Sequence, residues 1–228
     1  MMQPDLDFLS YVEEIIDNAS SDYQIFLQEN GDKDDINELE ELLNAYNDDD
    51  LPIDFITDFS PRKDPDEWVS AAADWDIKDG KSVRVFLHAV NLEGKWGPKT
   101  FKKIIMQMMA HETIHWKQYD KFDPEVLMSY QSGYMKGVAK KSVGGSERDL
   151  MRLYLRDLHE LMAYGHDLAL EMKDTDSPLD ALRSPERYID ELPAYQRYRA
   201  IFPIKSKQIK QLLKYTAEYF IQEEMITT

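Results

Sequence analysis

From residue 5 to 18 the apolar positions Leu6, Phe8, Leu9, Val12, Ile15 and Ile16 recur at helical spacing and predict a helix buried through one face. A second helical piece is expected from about 22 to 29. Gly31-Asp32-Lys33-Asp34-Asp35 breaks the pattern, and acidic residues then open a helix carrying Ile36, Leu39, Leu42, Leu43 and Tyr46. Asn47-Asp48-Asp49-Asp50 closes it. These helices are expected to pack on the domain rather than to catalyse. Beyond Pro52 the period shortens to two. Ile53 to Thr57 predicts a short strand, Trp68 to Trp75 a second and Ser82 to Val90 a third, with Lys78-Asp79-Gly80-Lys81 turning between the last two. In the third, Val83, Val85 and Leu87 alternate with Arg84, Phe86 and His88. An exposed edge strand can hold an extended peptide by backbone pairing, and residues 82–90 are expected in that role.

Helical spacing returns after Gly97-Pro98. Phe101, Ile104 and Met108 form an apolar stripe, and continuing it lands on His111 and then His115. Residues 111 to 115 read His111-Glu112-Thr113-Ile114-His115. Residues four apart share a helix face, so both imidazoles can reach one metal ion while Glu112 leans toward it from beside them. Glu112 follows Ile105 and Met109 along the edge of the same arc, where an unpaired carboxylate would be costly to bury. Neutral imidazole suits zinc at about 2.0–2.1 Å, and a catalytic site takes three protein ligands and leaves one position to water, whose pKa falls to about 7. A carboxylate that is not a ligand can then take the proton. The pattern is that of a zinc hydrolase, with His111 and His115 as ligands and Glu112 as general base.

A long connection follows, containing Gly133, Gly137, Gly144 and Gly145 with Lys136, Lys140 and Lys141; a lid or a plain linker both fit it. Ser146 with Asp149 resembles a capping box, so a helix is expected from about 147 to 172. It offers the third ligand. Glu160 stands in line with Leu153, Asp157 and Tyr164 on an inward-facing edge. His159 lies beside Arg152 and Arg156, a poor neighbourhood for a dication, and both His159 and His166 read as members of a solvated face. Glu160 is therefore the expected ligand. Helix resumes after Pro178 and again after Pro203, where Ile209, Leu212, Leu213, Thr216 and Phe220 form the inward stripe. Tyr188, Tyr195, Tyr198, Tyr215 and Tyr219 are read as core aromatics rather than a stacking surface.

Composition narrows the classes further. The net charge of −17 argues against a nucleic-acid surface, which depends on clustered Lys and Arg. No cysteine is present, so disulfides and thiolate metal sites are excluded. The segment MMQPDLDFLSYVEEII lacks the basic and apolar regions of a signal peptide, and no run approaches the ~20 apolar residues of a membrane span. A cytoplasmic protein without membrane or nucleic-acid partners is expected.

At this point the sequence resembles a family. His111-Glu112-Thr113-Ile114-His115, followed downstream by Glu160-Leu161-Met162-Ala163-Tyr164, looks like the gluzincin-type metallopeptidases, in which a Glu-x-x-Ala segment supplies the third zinc ligand. The stretch from Trp75-Asp76 through Val83 to Leu87 is similar to the small sheet before the zinc helix in compact phage-encoded metallopeptidases. The resemblance covers roughly residues 68 to 170. It implies an α+β, zincin-like fold: a sheet of about three strands, an HExxH helix, a third-ligand helix and accessory helices at both ends. The corresponding divisions are 1–50, a helical segment; 51–175, the catalytic core; and 176–228, a second helical segment. Larger gluzincins often place an Asp four residues after the glutamate ligand, where this chain has Tyr164. Asp157 is the candidate to orient a zinc histidine instead. Tyr130, Tyr134, Tyr164 and His166 are candidates to stabilise an oxyanion. The Glu-x-x-Ala pattern recurs at Glu191-Leu192-Pro193-Ala194, where the proline disfavours a ligand-bearing helix interior. The implied activity is zinc-dependent peptide hydrolysis on a peptide or protein substrate. The alternative is a non-catalytic interaction or virion-associated structural protein with a vestigial or structural metal site.

Overall fold

The computed structural model describes residues 3–30, 36–47, 53–57, 69–76, 82–90, 97–121 and 144–226. Within them lie, in order, α1 (Leu6–Glu29), α2 (Ile36–Tyr46), β1 (Ile53–Thr57), β2 (Val69–Asp76), β3 (Ser82–Val90) and α3 (Gly97–Lys121). There follow α4 (Glu147–Tyr154), α5 (Leu158–Lys173), α6 (Pro178–Arg183), a 3-10 segment (Pro185–Glu191), α7 (Pro193–Ile201) and α8 (Lys207–Ile226). The architecture is α+β, mostly helical with one small sheet. The chain divides into two compact units, Gln3–Trp116 and Lys117–Thr228, and the division falls inside α3. Among the described residues no helix is long and apolar enough to cross a membrane.

In the first unit, α1 is one helix where the sequence suggested two pieces. Its buried file runs without interruption through Val12, Ile15, Ile16, Ala19, Ser20, Tyr23 and Leu27, so the polar Ala19-Ser20-Ser21 stretch does not break it. Asp5 opens the helix by accepting the Phe8 N–H at 3.2 Å. The breaks expected at Gly31 to Asp35 and Asp48 to Asp50, and the turn at Lys78 to Lys81, lie outside the described residues.

The strands form a mixed sheet in the order β1-β3-β2, with β1 parallel and β2 antiparallel to β3. This overturns the expectation that residues 82–90 form an exposed edge. β3 is paired along both sides, and Val83, Val85 and Leu87 are each fully buried. A strand whose apolar file is that deeply covered belongs in the middle of its sheet, since burial of each such side chain contributes about 1.5–3 kcal/mol. The edge at β1 is capped by side chains of α2. Asn44 donates its amide to the Phe55 carbonyl at 2.9 Å and accepts the Phe55 N–H at 3.1 Å, as a neighbouring strand would. Asn47 donates to the Ile53 carbonyl at 2.5 Å, and Glu40 accepts the Thr57 N–H. Every second residue of the strand is served.

α3 completes this core with Phe101, Ile105 and Met109, while Ile104 and Met108 are only partly buried. The centre of its buried arc is thus rotated by about one residue from the expected stripe. Two polar ties fix α1 along it: Lys102 reaches Glu13 at 2.7 Å and Asp17 at 2.8 Å, and Phe8 meets Trp116 edge-on at 5.3 Å.

In the second unit, the helix expected over residues 147–172 is two helices. The Ser146–Asp149 capping box opens α4 as anticipated. The chain then breaks at Leu155 to Asp157, and Asp157 caps α5 by accepting the His159 N–H at 2.9 Å. Leu153 therefore belongs to a different helix from Glu160. α5 is enclosed by α7 and α8, and Tyr195, Tyr198 and Tyr219 are buried, as expected of core aromatics, whereas Tyr188 and Tyr215 are only partly buried. Pro193 opens α7 instead of interrupting a helix, and Glu191 is exposed, so the second Glu-x-x-Ala segment bears no inward ligand. The α8 stripe is buried at Ile209, Leu212, Thr216 and Phe220, with Leu213 partly so.

α5 and α8 touch at Gly165. A Cβ there would stand 2.6 Å from the Tyr215 Cβ and 3.3 Å from the Thr216 backbone nitrogen. Helix propensity alone favours alanine over glycine by about 1 kcal/mol. The clash reverses that preference, because relief requires the helices to separate. Gly165→Ala should destabilise the protein by about 1–3 kcal/mol, the usual scale of overpacking; denaturant unfolding checks this, and a stabilised variant would show that the helices part without cost.

Candidate metal centre

The buried polar residues described on α3 all lie in its second half. His111 is 7% exposed, Glu112 9%, Thr113 0% and Gln118 1%, and His115 is partly buried. Helix geometry puts His111, His115 and Gln118 on one face, four and three residues apart. The two imidazoles meet at 4.9 Å between centroids with planes 73° apart. Thr113 donates to the Ala110 carbonyl at 3.0 Å and accepts the Asp5 N–H at 3.5 Å, which fixes the start of α1 against this segment. Gln118 donates to the His159 carbonyl at 3.4 Å, a contact between the last turns of α3 and the first turn of α5.

That contact locates Glu160, the next residue. Asp157 is the N-cap of α5, so Glu160 occupies the third helical position, where a capping-box glutamate would reach back to the cap N–H. Here the Asp157 N–H is bonded to the Tyr154 carbonyl at 3.0 Å instead. One ligand atom from each of His111, His115 and Glu160 lies within 4.8 Å of the others.

The donor set fits zinc in kind: two imidazoles and a carboxylate, the combination of known catalytic zinc sites. It also fits in scale. Bonds of about 2.0–2.2 Å in a tetrahedron hold donors about 3.4 Å apart, so closure from at most 4.8 Å needs modest side-chain rotation. Glu112 is not one of the three grouped donors and lies buried beside His111 on the same helix. The sequence reading of the three ligands thus corresponds to one cluster in space.

The other described candidates have partners of their own. Asp157 is engaged at the α5 cap, and its carboxylate oxygen stands 3.4 Å from the His159 Nδ1, so it serves α5. His159 and His166, expected on a solvated face, are 9% and 3% exposed. The reason for His166 is α8: its ring meets Tyr219 at 5.1 Å, and its Nδ1 is 3.9 Å from Asp167. Tyr164 is buried, with its hydroxyl accepting from Arg197 and the Arg197 guanidinium 5.4 Å over its ring. Burial and, foremost, its electrostatic pairing with Tyr164 act on Arg197 in opposite senses, and the pairing prevails to raise its pKa. Tyr130 and Tyr134, with the glycine- and lysine-bearing connection around them, lie outside the described residues.

Sequence reasoning passed over Gln118, although its spacing from His111 and His115 was a readable signal. Comparison with protein-family models, curated proteins and solved structures finds no match to the chain.

His111→Ala and His115→Ala should each abolish stoichiometric zinc binding, and Glu160→Ala should weaken it strongly, because each removes one of three ligands. His159→Ala, whose ring pairs with Asp157, should retain the metal. Metal analysis after dialysis decides this: zinc lost from His159→Ala but kept by Glu160→Ala would reverse the ligand assignment.

Proposed function

We propose that the chain is a zinc-dependent metallopeptidase of zincin-like architecture, with His111, His115 and Glu160 as ligands and Glu112 as general base. The supporting observation is the grouping of those three donor atoms within 4.8 Å, from residues carried by two helices. A zinc ion held there would supply Lewis acidity and a water acidified to a pKa of about 7.

The chain's own residues divide the remaining work. His111 and His115, four apart on one helix, set the spacing of two donors through the backbone of α3 and need no loop to align them. Glu160 brings a negative charge, and its place in the first turn of α5 is one where the helix dipole favours a carboxylate. Glu112 accepts a proton from the attacking water and passes it to the departing amine, so it has to lie beside the ligands without being one. Its burial keeps bulk water from competing for that proton. The substrate class that suits this chemistry is an amide of a peptide or protein.

Glu112→Gln keeps the side chain's shape while removing its capacity to accept a proton. Peptide hydrolysis by this variant should fall roughly 10²–10⁴-fold, the usual scale of general acid–base catalysis, with zinc content unchanged. A fluorogenic peptide library with parallel metal analysis is the measurement. Hydrolysis at the wild-type rate would remove Glu112 as base; a zinc-loaded wild type inert across the library would favour a non-catalytic binding role.

A further inference from the structure

Tyr198 presents a buried polar atom that no described residue uses. The residue is fully buried, and its hydroxyl makes no hydrogen bond with any described residue. A buried O–H without an acceptor is costly, and phenylalanine would fill the same ring volume without that cost. The hydroxyl therefore calls for an acceptor that another state of the site provides.

The packing of α7 on α5 says where it stands. Glu171 on α5 accepts the Ala194 N–H with both carboxylate oxygens at 3.0 Å, anchoring the start of α7. One turn on, the Tyr198 ring meets Tyr164 at 5.6 Å with planes 72° apart. Tyr164 lies four residues after Glu160, and helical side chains lean toward the N-terminus, over the preceding turn. For Tyr164 that turn carries Glu160. One carboxylate oxygen of Glu160, Oε2, is shielded from solvent. The Tyr164 hydroxyl is already bonded to Arg197, whereas that of Tyr198 has no partner among the described residues. Burial first, and then the Glu160 charge ahead of the charges of Tyr164, Asp167 and Asp157, push the Tyr198 pKa well above the ordinary phenol value. The Tyr198 phenol carries one hydrogen that it can donate to a carboxylate.

We propose that Tyr198 is the positioning residue for the third ligand, its hydroxyl donating to the Glu160 carboxylate when Glu160 serves in the metal centre. The inference rests on that centre being a zinc site. A carboxylate bonded on one side is held in one orientation, so its other oxygen is presented to the metal with less entropy to lose. This gives α7 a part in the site although it carries no ligand.

Tyr198→Phe isolates the hydroxyl because the ring, and its packing on Tyr164, remain. Zinc affinity, measured by competition with a chromophoric chelator, should fall about 10–100-fold, the range seen when partners of ligands are removed. Thermal stability of the metal-free protein should be unchanged or higher, since the hydroxyl has no partner there. In a Glu160→Ala background the same substitution should leave residual zinc affinity unaltered, as expected of a coupled pair. Wild-type affinity in Tyr198→Phe overturns the positioning role and leaves the metal centre standing. A destabilised metal-free Tyr198→Phe whose affinity loss persists without Glu160 also overturns it, by showing a structural role. Wild type that takes up no zinc fails the metal centre itself, and this inference with it.

Discussion

Within two turns α3 buries His111, Glu112, Thr113 and Gln118, and the need to satisfy polar groups removed from water governs what surrounds that segment. Thr113 and Gln118 bracket His115, and each is tied to a different neighbour: Thr113 to the cap of α1, Gln118 to the first turn of α5. Polar side chains that could have been liabilities thereby become the registration points of the helices beside them. Apolar contacts are tolerant of small slips. A hydrogen bond to one particular carbonyl is not.

The elements legible in the sequence were those whose period reports a single buried face. α2, the three strands, the start of α3 and the α8 stripe all follow from the spacing of Leu39 and Leu43, of Val83, Val85 and Leu87, or of Ile209, Leu212 and Thr216. Strand order was not legible, because pairing partners are chosen by contacts between distant segments that no local period records. The break at Leu155 to Asp157 was missed although Asp157 and Glu160 stand at the spacing of a helix start; apolar residues on both sides concealed it. His159 and His166 were misplaced for a related reason. Polarity predicts exposure only where a helix has one covered face, and α5 is covered on several.

The three donors that group in space, from His111, His115 and Glu160, were legible because two of them stand four apart on α3 and the third was read on an inward edge of the helix that follows. The surroundings of those ligands were not. Asp157 caps its own helix, the Tyr164 hydroxyl accepts from Arg197, and the Tyr164 ring packs on Tyr198 of a later helix, contacts between segments that no local spacing records. Ligand identity lies in short patterns, whereas ligand orientation depends on long-range packing, which a single sequence does not display.

The side-chain cover along β1 has a consequence for crowded solutions. Sheet edges are where folded proteins most readily join one another, since unpaired strands accept any other strand. Side chains of α2 and the adjoining Asn47 take the Ile53 carbonyl, both backbone groups of Phe55 and the Thr57 N–H, so a second molecule approaching that margin finds those hydrogen bonds already taken. The net charge of −17 keeps molecules apart at long range, a protection that salt weakens. The side-chain cover acts only at contact, and its Asn44 and Asn47 amides carry no charge for salt to screen. The two defences therefore fail under different conditions, and colloidal stability at this margin should outlast the screening of its charge.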